Sequence, residues 1–196
     1  VDSIYFGNAE VASTYVHPKT PGFDTTTPTD LGKYDPKESA RLLDEAGWKM
    51  GPDNFRYKDG KKLTLLLNGF AGGRSPKVTE AVQGAWRKIG VDLQLQMWDG
   101  TIIWSKLAQQ DDDLWSIAYP YASAADASLL YFHSRNIPTP NRMNWKDAET
   151  DKWLEAAAAS LNEKDKFENI SKVYKKVHAN AVWVPIVHEG VAMVVN

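Results

Sequence analysis

The chain has 196 residues, 23 Lys and Arg against 25 Asp and Glu, and no cysteine. This length can bury a sizeable core as one domain, or as two small ones. The balanced charge, without a basic run longer than two residues, argues against nucleic acid as a partner, and the lack of cysteine excludes disulfides and thiolate chemistry. No apolar run is long enough for insertion into a membrane, and the N-terminal residues do not resemble a signal peptide.

The first clear element is a helix within YDPKESARLLDEAGW, residues 34–48. Asp35 is a good N-cap, Pro36 suits the first helical position, and Glu38 completes a capping box. Gly47 supplies the left-handed residue that ends such a helix. These local signals predict a short helix with a structural role.

A strand, a helix and a second strand follow. The KDGK turn at 58–61 predicts a hairpin that leads into the apolar strand Leu63–Leu67. Ser75 is expected to cap the next helix, which Gly90 ends. Residues 91–97 then alternate strictly between apolar and polar, as in a half-buried strand. The order predicts a βαβ unit with a right-handed crossover.

The rest of the chain continues the alternation of helices and strands. Strand-like runs close it, and before them the pattern predicts a helix at 101–110, a strand at 114–119, a short helix near 126–133 and two helices at about 148–161 and 163–180. The sequence therefore predicts an α/β fold in which helices flank a mixed sheet.

Eight tryptophans make this chain unusually aromatic. Trp104 and Trp153 lie at helical spacings and are expected to pack inside. Trp98, Trp115 and Trp145 lie at strand ends or in loops, where contact with a ligand is more credible.

The motifs of common enzymes are missing. GFAGGR, residues 69–74, lacks the Lys and Ser or Thr of a P-loop, although the N–H groups of the following helix, with Arg74 beside them, can hold a carboxylate or hydroxyl. The four histidines show no metal-ligand spacing, and no GxSxG motif occurs. We therefore expect no cofactor, metal or catalytic residue. A hydrolase-like domain that uses Asp99 and Asp126, or an interaction domain without a small ligand, remains the alternative.

Taken in order, these segments resemble the extracytoplasmic solute-binding proteins of ABC importers, family 5, the oligopeptide, dipeptide and nickel class. The matching segments are YDPKESARLLDEAGW (34–48), DGKKLTLLL (59–67), VTEAVQGAWRKIGVDLQLQ (78–96), Trp104–Ala108, AETDKWLEAA (148–157) and FENISKVYKKVHANAVWVPIVH (167–188). The resemblance implies that residues 1–196 are a single domain, the C-terminal ligand-closing lobe of a two-lobed periplasmic-binding-protein fold of type II. The N-terminal lobe and the final return strand would then be absent.

The resemblance also implies a function. Proteins of this family hold a small solute between two lobes that close about a hinge, and deliver it to a membrane permease. The location would be periplasmic, or anchored at the cell surface. The family's ligand-facing positions correspond here to Asn68, Arg74, Ser75, Trp98, Asp99, Tyr119, Tyr121, Ser123 and Asp126.

The class of solute stays open because the sequence departs from the peptide-binding pattern. Peptide binders place an Asp, which holds the α-ammonium of the peptide, three residues before the position matched by Asp126. Ser123 stands there instead, and a hydroxyl cannot neutralise a buried ammonium. The usual Asp-Pro pair is also altered, to Asp126-Ala127. A neutral oligosaccharide would suit the aromatic and hydroxyl groups of the set, and a peptide or opine is the other expectation.

Overall fold

The structure, a computed structural model, describes residues 2–23, 33–118 and 121–189. Its backbone contacts divide the chain into two compact units. The first unit combines Val1–Lys33 with Tyr119–Asn196, and the second is Tyr34–Ala118. The expectation that the whole chain forms one lobe stays a prediction.

The described elements alternate between helices and short strands, as the sequence predicts. In chain order they are α1 Asp2–Tyr5, β1 Ala9–Val11, α2 Pro36–Glu45, β2 Lys49–Met50, β3 Arg56–Lys58, β4 Lys61–Lys62, β5 Thr64–Phe70, α3 Ser75–Arg87, β6 Asp92–Trp98, α4 Ile103–Gln109, β7 Leu114–Ser116, α5 Ala124–Phe132, α6 Ala148–Ala159, α7 Glu163–Ala179 and β8 Val187–Glu189. A short 3-10 helix, Ser134–Asn136, follows α5. None of the described helices is both long and apolar enough to cross a membrane.

A three-stranded parallel sheet forms the centre of the second unit. The strand order is β6-β5-β7, and both outer strands run parallel to β5. The predicted βαβ unit is thus confirmed as β5, α3 and β6. The hairpin is confirmed too: β2, β3 and β4 form a separate antiparallel sheet, and Asp59 and Gly60 both have positive φ, as a two-residue hairpin turn requires. The α/β class is correct, with parallel and antiparallel pairs in different sheets among the described strands.

The cap of α2 differs from the prediction in one detail. Asp35 Oδ1 accepts hydrogen bonds from the N–H groups of Lys37 and Glu38, and Gly47 adopts φ +89° after the helix. The Glu38 carboxylate, however, accepts two hydrogen bonds from Arg41, at 2.7 and 2.6 Å. The guanidinium one turn along the helix thus occupies the carboxylate that the predicted capping box would use.

Helix α3 starts one residue earlier than predicted. Arg74 is its N-cap, without a side-chain cap, and Ser75 is its first residue. The chain already turns before the helix, because Gly73 has φ +60° and the Ser75 N–H donates to the Gly72 carbonyl at 3.3 Å. That turn leads the chain into α3 without the side-chain cap that was predicted for Ser75.

A buried arginine holds the amino end of the parallel sheet. Arg56 is 3% exposed and donates to the carbonyls of Ile89 and Trp48 at 2.7 and 2.6 Å. It also donates to the Asp44 carboxylate at 2.8 Å and to the Ala40 carbonyl at 3.2 Å. One side chain therefore ties α2, the β2–β3 hairpin and the turn before β6 together.

Helices α5, α6 and α7 enclose the core of the first unit. The largest buried side chains of this core are Val16, Tyr131, Phe132, Leu154, Ile170, Val173, Tyr174 and Val177. Trp153 packs against it, as predicted, and so does Trp145. Strands β1 and β8 pair antiparallel in the same unit. The apolar run VAMVV, residues 191–195, lies outside the described residues.

Candidate functional site

The carboxyl ends of the three parallel strands meet at one edge of the sheet in the second unit. We define the carboxyl edge as Phe70–Arg74, Trp98–Gly100 and Ser116, the residues at and after these strand ends. In open α/β sheets, ligands bind outside the carboxyl ends of the strands. Four of the residues predicted from the sequence lie in or beside this edge: Arg74, Ser75, Trp98 and Asp99.

Trp98 is held in place across the sheet. Its indole N–H donates to Asn68 Oδ1 at 2.8 Å, and Asn68 Nδ2 donates to Asp112 Oδ2 at 3.0 Å. Asn68 itself is 1% exposed. Since both ends of its amide are used inside the protein, Asn68 is placed to position the indole of Trp98.

Charged groups surround this chain of hydrogen bonds. Burial raises the pKa of the Asp112 carboxyl, and the carboxylates of Asp111 and Asp113 raise it further, while the bond from Asn68 lowers it. The Lys106 ammonium of α4 lies 4.8 Å from the centre of the Trp98 ring, within range of a cation–π interaction. The indole is therefore fixed at its edge by Asn68 and attracted at its face by a cation.

Asp99 organises the turn between β6 and α4. Its Oδ1 accepts hydrogen bonds from the backbone N–H groups of Thr101 and Ile102 at 2.8 and 3.2 Å. The Thr101 hydroxyl, which also donates to it, is the main reason why the pKa of Asp99 lies below its usual value. The carboxylate is exposed and ionised at neutral pH, and it serves the turn.

One glycine within β5 and one after it make room for two side chains. A Cβ atom on Gly69 would lie 2.8 Å from the Met97 methyl carbon, and one on Gly72 would lie 2.4 Å from the ring of Phe70. Phe70 is half-buried and pairs in register with Trp98. From the sequence, only the N–H groups after GFAGGR and Arg74 were expected to contact a ligand, and Phe70 was not predicted. The signal that could have identified Phe70 is an aromatic residue at a strand end, followed closely by two glycines.

A second aromatic residue was misjudged. Trp104 was expected to pack inside, and this is wrong, since the residue is 46% exposed. It lies on α4, a helix of seven residues. Such a short helix buries few of its positions, and those of α4 are Ile103 and Leu107. Trp104, which is next to Ile103, therefore lies at the surface.

The remaining predicted residues belong to the first unit. Ser123 caps α5: its hydroxyl accepts from the Asp126 N–H at 3.1 Å and donates to the Asp126 carboxylate at 2.7 Å. The Tyr121 hydroxyl accepts from the His17 N–H at 2.9 Å, and its ring packs against the core. Tyr119 lies outside the described residues. Ser123 and Asp126 thus form a reciprocal cap, which the sequence pattern had not revealed.

The histidines give no metal site in the described part of the chain. Across residues 2–23, 33–118 and 121–189, no three His, Asp or Glu side chains are arranged to hold a metal ion. His17 and His188 do meet edge to face, with ring centres 4.9 Å apart, and Glu10 lies 3.6 Å from His17 Nε2. Burial, and secondarily His17, lowers the pKa of His188.

Comparison with known proteins gives consistent relatives. The family model for bacterial extracellular solute-binding proteins, family 5 (middle), matches residues 1–152. The oligopeptide-binding protein AppA of Bacillus subtilis is 26% identical over 186 residues, which are 90% of this chain and 33% of AppA. The oligopeptide-binding protein OppA of Lactococcus lactis subsp. cremoris is 30% identical over 91 residues, 45% of this chain and 15% of that protein. The chain thus spans a third or less of these relatives.

Solved structures share the fold. The structure of AppA from Bacillus subtilis in complex with a nonapeptide aligns with a TM-score of 0.81 at 24% identity, over 96% of this chain and 38% of the chain in that structure. NikZ from Campylobacter jejuni in complex with Ni(L-His) aligns with a TM-score of 0.82 at 19% identity, over 96% of this chain and 38% of NikZ. Both the family model and these folds agree with the resemblance seen in the sequence. The chain belongs to family 5 of the bacterial extracellular solute-binding proteins, which act outside the cytoplasm.

Proposed function

We propose that this chain supplies one face of a solute-binding site, and that the carboxyl edge of the parallel sheet is that face. The observation that carries the proposal is the fixed indole of Trp98 at the end of β6, tethered through Asn68 to Asp112. Aromatic side chains that are already held in one orientation bind a solute at a small cost in conformational entropy. The site would bind without catalysis.

The solute that we propose first is a peptide. Among the relatives, AppA is named as oligopeptide-binding and has a structure with a nonapeptide. The start of α3 has no side-chain cap, and the positive end of the helix, together with the Arg74 guanidinium, favours a peptide carboxylate or carbonyl there. Trp98 would then pack against an apolar side chain of the same peptide.

A neutral oligosaccharide is the second candidate, because of Ser123. Its hydroxyl is engaged with Asp126 as the cap of α5, and no carboxylate stands at position 123 to neutralise a peptide ammonium. A solute without charge avoids that problem. Aromatic rings also pack well against the C–H faces of sugars.

The role of the whole protein follows as a further part of the proposal. The chain would act as the C-terminal lobe of a longer protein, which closes on the solute and presents it to an ABC permease. One lobe alone would supply only part of the contacts. We therefore expect this chain by itself to bind in the millimolar range, against about micromolar for a complete site.

The test is an NMR titration of the ¹⁵N-labelled chain, which follows the indole N–H signals. Pools of short peptides and of neutral oligosaccharides are added separately at millimolar concentration. Movement of the Trp98 signal with one pool alone supports the site and identifies the solute class. If both pools leave the Trp98 signal in place, the carboxyl edge is not the binding face.

Two variants separate binding from folding. Trp98→Ala should abolish the response of the remaining signals while the second unit stays folded, although its melting temperature should fall because Asn68 Oδ1 loses its donor. Tyr57→Ala, which removes a half-buried ring from the β3 hairpin of the same unit, is the matched control and should respond like the parent chain. If Trp98→Ala unfolds the second unit, the indole is core and its assignment to a site is wrong.

A further inference from the structure

Phe70 and Trp98 stand side by side at the carboxyl edge. They are register partners on the parallel strands β5 and β6, so that both side chains leave the sheet on the same face. Neighbouring strands lie about 4.8 Å apart, so the backbones of the two residues are adjacent on that face. The edge therefore carries an aromatic pair on its central strand and on the strand beside it.

The loop after β5 is shaped around the ring of Phe70. A Cβ atom on Gly72 would lie 2.4 Å from two carbons of that ring, closer than any real contact. The backbone of Gly72 is not in the left-handed region, so local conformation alone would admit another residue. A Cβ atom on Gly100, in the loop after β6, would lie 3.5 Å from the same ring. The loops after β5 and β6 thus both pass close to the Phe70 ring and restrict its position.

Two kinds of restraint fix the pair. Trp98 is held by its hydrogen bond to Asn68 and by Lys106 at its face. Phe70 has no polar atom and is held by packing against the bare backbone of Gly72, yet it stays only half-buried. A half-buried ring in a fixed position retains an apolar surface that a ligand can cover.

We infer that Phe70 is a specificity-determining residue of the carboxyl edge, and that it selects solutes with a flat apolar group, such as the aromatic side chain of a short peptide. This inference rests on the proposed function of that edge. Phe70 provides the apolar contact, and Gly72 is a positioning residue that acts through it. Trp98 provides the second ring of the surface.

Two tripeptides that differ in one side chain test the inference: Ala-Ala-Ala and Ala-Phe-Ala. Their dissociation constants for the whole 196-residue chain are measured by NMR titration of the backbone amides. The parent chain should prefer Ala-Phe-Ala by about three- to tenfold, the range expected for an aromatic pair. Phe70→Leu, which keeps an apolar side chain but removes the ring, should reduce the preference to about twofold or less.

Gly72→Ala should reduce the preference in the same way, because its methyl group displaces the ring without changing Phe70. Phe6→Leu is the matched control: Phe6 lies in the first unit, is 77% exposed, and should leave the preference unchanged. Binding of Ala-Ala-Ala should change little in any variant. This pattern distinguishes a lost contact from a general loss of binding.

The possible failures are distinct. If the parent chain binds neither tripeptide, a peptide function for the edge fails and the inference falls with it. If the parent chain binds both peptides and Phe70→Leu keeps the full preference, the proposed function stands and the inference about Phe70 is overturned. Loss of the preference in Phe6→Leu as well would show that the effect is not local, which also overturns it.

Discussion

The two ends of the parallel sheet in the second unit are built in opposite ways. At the amino end, the guanidinium of Arg56 is buried and donates to acceptors on α2, the hairpin and the turn before β6. At the carboxyl end, Phe70 and Trp98 are half-buried, and Gly72 leaves its backbone bare beside them. At the amino end the polar groups of Arg56 are used in hydrogen bonds within the protein, and at the carboxyl end part of the apolar surface of two rings stays exposed.

This difference separates stability from binding within one small sheet. A buried charge is tolerated only when its hydrogen bonds are satisfied, so the amino end has little freedom to change. At the carboxyl end, the hydrogen bond to Asn68 and the Lys106 ammonium hold Trp98, and packing against Gly72 holds Phe70. Changes at the amino end should therefore cost the most stability, and changes at the carboxyl end should cost less and also alter binding.

The largest effect is expected at Arg56. Arg56→Ala leaves the carbonyls of Ile89 and Trp48 and the Asp44 carboxylate without this buried donor, and should lower the free energy of unfolding by about 3 kcal/mol. Arg41→Ala is the matched control, since Arg41 also pairs with carboxylates, Glu38 and Glu45, but is exposed. It should cost far less than Arg56→Ala, because exposed ion pairs contribute little to stability. Urea unfolding, followed by the NMR signals of the second unit, measures both; equal costs would contradict the account of the amino end.

Asn68 tests whether the tether serves the fold or the solute. Asn68→Leu removes the acceptor of the Trp98 indole and the donor to Asp112, and should cost about 2 kcal/mol in the same unfolding measurement, with a shifted Trp98 indole signal. Gln94→Leu, at an exposed position of β6, should change stability little. If Asn68→Leu keeps both the stability and the indole signal, the side chain does not position Trp98.

Two glycines in the same unit should respond to alanine with opposite signs. Gly72→Ala forces the Phe70 ring out of its place and should destabilise the unit by about 1 kcal/mol. Gly84 lies inside α3, and a Cβ atom there would meet no other atom within 4 Å. Gly84→Ala should therefore stabilise the unit by about 0.5 to 1 kcal/mol through its better helix propensity. Thermal unfolding compares the two; the same sign in both would show that the ring does not require Gly72.

The smallest effect is a dependence on pH that should be confined to the first unit. The pKa of His188 is lowered by burial and by the facing imidazole of His17, and Glu10 opposes this shift. As pH falls through about 6.5, the unfolded chain takes up this proton before the folded one, so the first unit should lose stability between pH 7.5 and 5.5. His188→Phe should reduce that loss.

The second unit provides the internal control. Residues 34–118 contain no histidine. The pKa values of Asp44 and Asp99 are lowered, so the stability that these carboxylates contribute persists at pH 5.5. The pKa of Asp112 is raised, so a fall in pH makes its contribution to stability more favourable. Denaturant unfolding at the two pH values, read separately from the signals of each unit, makes the comparison. Equal losses in both units, or the full loss in His188→Phe, would rule out His188 as the cause.

Local signals in the sequence were sufficient for much of this fold. The cap at Asp35, the turn at Asp59-Gly60 and the alternation after Gly90 each depend on residues within a few positions of one another, and each element is present. Arg56 could not be predicted, because its partners Asp44 and Ile89 lie 12 and 33 residues away. In the sequence it resembles an ordinary surface residue of a hairpin.

The candidate site was predictable in position more than in chemistry. The strand ends located Trp98 and Asp99 correctly at the carboxyl edge. The hydrogen bonds that engage Asn68, Asp99 and Ser123 were not foreseen, because they depend on which side chains the turns bring together. The contact between Phe70 and Gly72 joins residues two positions apart, yet only the conformation of the loop reveals it.

The most direct test of the central claim compares the two ends of the sheet in one titration. Ala-Phe-Ala is added to the ¹⁵N-labelled chain, and the amide signals of Ala71, Gly72 and Gly100 are followed beside those of Leu63 and Gly90. The account predicts that the first three move in a saturable way and that the last two stay in place. Saturable movement at Leu63 and Gly90, with the carboxyl edge unchanged, would contradict it.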